Sequence, residues 1–325
     1  MTIVIATDRE VVVADVERGT ITPARGIGDT PTAVAADPLV QARAWCTTSR
    51  SGVFRSDDGG ATWQPAGLSG RSIMTITASP ARRDEIWVGT EPSQVWRSQD
   101  AGRTWQETSP LDALPSSPRW AFPPRPETHH VRWIACHPFE PARLWVAIEA
   151  GALVSTTDGG RTWRDRVEGG PRDTHELAID RTAPDALRVA AGDGYFESDD
   201  GGMTWRSPSA GLEVGYLRSV AIDPGRPRTV LVSASTGPHS AYVAGHSDGR
   251  VYRRTAPGPW ERVRAGWPTP PDSIAPLLCA GTKSGELWAA DERGVHASTD
   301  DGRSWDIAAR FDRKPRHLRG LALIP

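Results

Sequence analysis

One box, S/T-x-D-x-G-x-S/T-W, recurs along this chain and constrains its fold more than any other feature. It ends at Trp63 in SDDGGATW, Trp105 in SQDAGRTW, Trp163 in TTDGGRTW, Trp205 in SDDGGMTW and Trp305 in STDDGRSW, and a worn copy, RTAPGPW, ends at Trp260. The surroundings repeat as well. A short apolar run precedes each good box (GVFRS, QVWRS, GALVS, GYFES, GVHAS). A second stands before that (EIWVGT, RLWVAI, TVLVSA, ELWAAD), and a third, usually closed by Pro, opens the unit (TAVAADP, MTITASP, RWIACHP, RSVAIDP). With the box Trp opening a fourth strand, the unit has four short strands and a period of about 40 to 45 residues, which is the arithmetic of a propeller blade.

Six units fit between Pro31 and Arg310, and the termini supply a seventh. TIVIAT aligns with the second run of a unit, and LRGLALIP at the other end matches the first run LRSVAIDP. The chain is therefore expected to be a single all-β domain, a seven-bladed β-propeller with four-stranded antiparallel blades. Its blades are expected over 318–325 with 1–24, then 31–67, 72–109, 130–169, 174–212, 216–266 and 273–310. The C-terminal strand completes the N-terminal blade and removes the exposed edge an open sheet would leave. Opening residues that form a strand speak against a cleaved leader, and MTIVIATDREVVV has no basic stretch ahead of a long apolar one.

Composition agrees and excludes some functions. Gly (32) and Pro (28) are frequent, as a turn-rich all-β chain requires, and Trp (14) outnumbers Phe (5) and Tyr (4). A net charge of -2 predicts no basic face for nucleic acid. No run approaches the ~18 apolar residues of a membrane span. Cys46, Cys136 and Cys279 are an odd, widely spaced set in strand-like runs, read as buried thiols rather than a disulfide framework or zinc site. The expectation is a soluble, cytoplasmic protein without a nucleic-acid or membrane partner.

The boxes look catalytic and read as structural. An Asp at a hairpin turn accepts hydrogen bonds from its own turn. Gly60, Gly102, Gly160, Gly202 and Gly302 share one position where a positive φ is expected. Copies on five blades cannot all be one active site, so Asp58, Asp100, Asp158, Asp200 and Asp300 are read as turn formers, and the EF-hand spacing is absent.

The boxes resemble the Asp-box (BNR) repeats of sialidases, certain glycoside hydrolases, sortilin-type receptors and photosystem II assembly and stability factors. The resemblance covers the whole chain. It implies an Asp-box propeller and no single activity, because enzymes and non-enzymes share the box. A true sialidase is not implied: the early Arg-Ile-Pro motif is missing and the count is seven blades, not six. The two-propeller xyloglucanase-like enzymes differ from this chain, which has one ring.

Function is sought on the face opposite the boxes. Successive box tryptophans are 42, 58, 42, 55 and 45 apart, so two intervals carry insertions, Ser109–His130 and Ser235–Gly249, both on that face. His129, His130, His175, His239, His246 and His317 also fall there, whereas His137 and His296 do not. Aligned innermost strands place Thr32, Met74, Arg132, His175, Arg218 and Arg319 at one level near the central channel. Converging arginines need an anion or carboxylates to offset them, and Glu91, Glu149 and Glu176 are the nearby acids. The expected pocket uses Arg132, Arg218, Arg319 and His175 on a small anionic or sugar-like ligand, with Tyr216 and Trp120 as walls. If it is catalytic, His175, Glu176 and Glu149 are the acid/base candidates for hydrolase or lyase chemistry. No cofactor is required by the sequence. A divalent metal is an alternative, held by His129 and His130 with His239, His246, Glu149 or His175. The rival reading is a protein-binding scaffold that uses the Pro-rich 109–130 insertion with Trp120 and Phe122. GHSDG, Gly245–Gly249, matches G-x-S-x-G but lacks the strand–turn–helix context of a nucleophile elbow.

Overall fold

A computed structural model of the chain describes residues 1–245, 247–267 and 273–325. It contains seven antiparallel sheets in a ring. The first blade pairs Leu318–Ile324 with Thr2–Thr7, followed by Val11–Asp15 and Thr20–Pro23, so the C-terminal strand closes the ring as expected. The innermost strands of the remaining blades are Pro31–Ala36, Ile73–Ala78, Val131–Cys136, Thr174–Asp180, Tyr216–Asp223 and Leu277–Ala280. Each neighbours the next around the central axis. In the fourth and fifth blades the outermost strand shrinks to one bridged pair, Ser155 with Arg164 and Glu197 with Arg206.

Sheets with apolar side chains on both faces must be covered on both, and a closed ring does this with copies of itself. Seven buried clusters result, one at each junction between neighbouring blades. Val4 and Ala6 of the first blade pack with Val34, Cys46, Phe54 and Trp63 of the second. Ile3 and Ile5 of the same strand pack on Ile274 and Trp288 of the seventh. The alternation of side chains along a strand thus feeds two junctions at once. Cys46 and Cys136 are buried thiols, Cys279 is partly buried, and all three are unpaired.

The boxes are turn formers. Asp58 accepts hydrogen bonds from Thr62 N (2.9 Å), Thr62 Oγ1 (2.6 Å) and Ser56 Oγ (2.7 Å), and the Ser56 hydroxyl in turn accepts from Gly60 N (2.9 Å). The same set recurs around Asp100, Asp158, Asp200 and Asp300. These bonds favour the charged carboxylate. Those from Thr104 hold Asp100 down at about 2, and Asp200 also sits at about 2 because its bonds from Thr204 outweigh its desolvation. The box glycines have φ of 91° (Gly60), 81° (Gly102, Gly160), 87° (Gly202) and 79° (Gly302). The residue before each is left-handed too, even where it is Ala101 (59°) or Asp301 (62°). At some boxes the second of the two needs glycine for space as well: a Cβ at Gly302 would collide with Leu231 of the preceding blade.

Candidate functional site

The ring encloses a cavity of about 370 Å³ lined by the innermost strands. Arg132, His175, Arg218 and Arg319 all reach it, as do Met74 and Glu176, but the arginines are used differently. Arg218 is 2% exposed. Its guanidinium donates to the carbonyl oxygens of Ala275 (2.5 Å) and Leu318 (2.5 Å) and lies over the Tyr242 ring at 4.6 Å. Burial lowers its pKa to about 10. Arg218 therefore ties three blades together and has few donors left for a ligand. Arg319 is the opposite case: it is exposed and has no hydrogen-bond or ion-pair partner among the described residues. Loss of bulk water draws its pKa below the usual arginine range, with Asp8 opposing and Arg132 adding to the shift. Thr32 is turned to Thr47, with 2.8 Å between hydroxyls.

Glu176 lies in the same wall. Its carboxylate accepts from Ser219 Oγ, yet burial dominates and pushes its pKa up to about 8. A carboxyl in this state is a hydrogen-bond donor near neutral pH.

The insertions take different places. Ser235–Gly249 forms a short helix, Pro238–Tyr242, that reaches across the loop-side end of the channel. Arg132 Nη2 donates to Tyr242 Oη (3.3 Å), His317 Nδ1 lies 2.7 Å from the Tyr242 carbonyl oxygen, and Ala275 N donates to Ala241 O (3.1 Å). Tyr242 thus touches residues from the fourth, sixth and closing blades, and sequence reasoning missed it. The 109–130 insertion packs instead against the third and fourth blades. Trp120 is not a channel wall: it is 5% exposed within an apolar cluster there, with its Nε1 bonded to Ser116 Oγ (2.9 Å).

At the rim between the fourth and fifth blades, Glu149, Asp173 and His175 bring ligand atoms within 4.8 Å of one another. Strand starts and a hairpin end place them. His175 lies in the fifth blade's innermost strand, Asp173 just before it, and Glu149 just after Leu144–Ile148. His175 Nδ1 is 2.6 Å from the Leu217 carbonyl oxygen, so Nδ1 carries the proton and Nε2 faces Tyr216 Oη (3.4 Å) and Asp173 Oδ2 (3.7 Å). Burial lowers the His175 pKa, with Asp173 opposing and Arg132 adding to the shift. Glu149 Oε2 lies 2.7 Å from His130 Nε2 and 3.6 Å from Arg132 Nε. Burial raises the Glu149 pKa, but Arg132 and His130 prevail and hold it at about 2. Asp173 was not singled out in the sequence, although Asp173-Thr174-His175 sets an Asp two residues before the His at the entry to one strand.

The other sequence candidates fall outside this three-residue cluster. His129 Nδ1 is 2.8 Å from Ser93 Oγ, and its ring meets Trp120 edge-on. His239 belongs to the short helix and is not one of the three clustered residues. His246 is outside the described residues. Tyr216 stacks obliquely on His175 with ring centres 4.9 Å apart. Glu91 is paired with Arg125 at 2.6 Å. Among the described residues of GHSDG no helix follows Ser247; the chain leads into the strand Arg250–Thr255. No helix among the described residues is long and apolar enough to cross a membrane.

Residues 29–170, under half of the chain, match the family model for photosynthesis system II assembly factor YCF48. No curated protein matches the chain. Among solved structures, the GH74 xyloglucanase from Xanthomonas campestris aligns over 99% of this chain and 52% of its own, with a TM-score of 0.70 and 16% identity. YCF48 from Cyanidioschyzon merolae aligns over 90% of this chain and 95% of its own (TM-score 0.62, 13% identity). A YCF48 bound to D1 peptide aligns over 88% and 84% (0.61, 17%). The chain spans 39% to 52% of the length of the GH74 chains it matches. Likeness at this level of identity shows the fold, and with the boxes it establishes a seven-bladed β-propeller of the BNR type.

Proposed function

We propose that the chain binds a small anionic or sugar-acid ligand in its central channel, at the end spanned by Tyr242. The observation that carries this reading is Arg319, a channel-lining guanidinium without a partner among the described residues. Arg132 adds a second cation whose buried Nε lacks a hydrogen bond. Two guanidiniums facing one cavity repel each other, and a carboxylate or phosphate relieves the repulsion while forming charge-assisted hydrogen bonds. Glu176 supplies a donor for a hydroxyl or carbonyl oxygen of the same ligand, and the carboxyl a hydrolase or lyase would use as general acid. Arg218 holds the channel's shape. Calorimetry with a panel of uronic acids, dicarboxylates and phosphorylated sugars tests the reading. A binder is expected whose affinity falls at least about tenfold in Arg319→Ala, the equivalent of ~1.4 kcal/mol. A panel without a binder, or a binder indifferent to Arg319→Ala, overturns it.

A protein-binding scaffold is the second reading. It is favoured by the YCF48 family match over 29–170 and by the neighbour whose structure holds a peptide. Crosslinking in lysate followed by reconstitution with the purified partner separates the two. A stoichiometric complex that survives Arg319→Ala supports the scaffold.

A further inference from the structure

Glu149, Asp173 and His175 are not needed to hold the anion, and their arrangement has a chemistry of its own. Each carries one side fixed by the protein and one side turned toward the other two. His175 has its Nδ1 proton committed to the Leu217 carbonyl oxygen at 2.6 Å, which leaves the Nε2 lone pair facing Asp173. Asp173 Oδ1 accepts from Ala150 N at 2.8 Å, and its Oδ2 is the oxygen nearest His175. Glu149 Oε2 is held by His130 Nε2 at 2.7 Å, and its Oε1 has no partner among the described residues. Outer contacts that fix tautomer and orientation while leaving inner atoms free are the usual support of metal ligands. Room has also been made for the cluster: a Cβ at Gly192 would collide with Asp173 Oδ2, so the carboxylate occupies space that only glycine leaves open there. His175 is 2% exposed, and among the described residues its Nε2 has, besides Asp173, a long contact to Tyr216 Oη, 3.4 Å.

We propose that Glu149, Asp173 and His175 form a binding site for one divalent transition-metal cation, at the rim between the fourth and fifth blades. One imidazole nitrogen and two carboxylates suit Mn²⁺, Fe²⁺ or Zn²⁺ rather than a thiophilic ion. Three protein ligands leave coordination positions open toward the channel, whose wall His175 shares. Arg132, 3.6 Å from Glu149, competes with the cation for that carboxylate and keeps the affinity moderate. The site differs from the histidine set expected from sequence: only Glu149 and His175 are retained as ligands, Asp173 is added, and His130 acts through Glu149.

The test is titration of the chelator-treated full chain with MnCl₂ and, separately, ZnCl₂, followed by calorimetry and by the loss of the free Mn²⁺ paramagnetic resonance signal. One equivalent of at least one cation is expected to bind. Asp173→Asn, which keeps the acceptor for Ala150 N, and Glu149→Gln are expected to weaken it by at least about tenfold, and His130→Phe by about 10- to 100-fold through the outer contact. His129→Ala, outside the cluster, is expected to bind as the parent does. Circular dichroism on each variant confirms the fold. If the folded parent takes up neither cation, or if Asp173→Asn and Glu149→Gln bind with parental affinity, the site does not exist.

Discussion

Arg218 Nη2 donates to the carbonyl oxygen of Leu318 at 2.5 Å, a bond between residues 100 positions apart. Leu318 opens the strand that closes the ring, so a buried cation of the sixth blade holds the closing strand of the first. With its second bond to Ala275, the same side chain reaches the seventh blade. Its removal leaves two buried carbonyl groups without a donor. Arg218→Met is expected to destabilise the fold by about 3 kcal/mol, since hydrogen bonds to charged groups contribute ~1.5–3 kcal/mol each. Urea denaturation checks this; an unchanged midpoint contradicts the stapling role.

The box carboxylates predict an acid limit. Asp100 and Asp200 are held at about 2 in the folded chain, below the ordinary 3.8, and Asp58, Asp158 and Asp300 are lowered as well. A depressed carboxylate contributes stability that is fully present above its unfolded value and is lost as pH falls through its folded one. Melting temperature is expected to be flat from pH 7 to about 4.5 with respect to these groups and to fall steeply between about 4 and 2. In Asp100→Asn that fall is expected to be shallower.

The box glycine is predicted to be intolerant. Gly302 combines a φ of 79° with contact against Leu231, so Gly302→Ala meets strain and overlap together. A loss of about 2 kcal/mol or more is expected. Ala101→Gly, at the other left-handed position of a box, is expected to change stability by under about 1 kcal/mol, because relief of strain is offset by chain entropy. Thermal denaturation of both variants is the check.

Arg132 separates the two ligand proposals by sign. It faces the channel and also lies beside Glu149. Arg132→Met removes a cation from both places, so anion affinity is expected to fall and Mn²⁺ or Zn²⁺ affinity to rise, each by several-fold. Parallel calorimetric titrations give both numbers on one preparation; movement in the same direction contradicts one of the two placements.

Blade count and ring closure were legible in the sequence because the repeats align, although closure pairs strands from opposite ends of the chain. The role of the boxes was legible because each turn rests on contacts a few residues apart. Asp58, Ser56, Gly60 and Thr62 build one turn, and the chain repeats that turn. The level of Arg132, His175, Arg218 and Arg319 was legible for the same reason, since aligned repeats bring equal positions to equal heights. What each arginine does there was not. Arg218 is occupied by carbonyls from two other blades, whereas Arg319 has no partner among the described residues, and nothing local distinguishes them. Tyr242 reaches Arg132 from 110 residues away through an insertion with no repeat to align. Trp120 sits in an equally irregular segment, and its burial against the third and fourth blades depends on a fold-back that periodicity does not encode.

The most direct test of the central claim uses an anion that can be located without a known ligand. Crystals soaked in selenate, measured at the selenium edge, report every bound oxyanion by its anomalous signal. A peak within hydrogen-bonding distance of the Arg319 guanidinium inside the channel, lost in Arg319→Ala, is the predicted result. Peaks only at arginines on the outer surface, with an unoccupied channel, would contradict it.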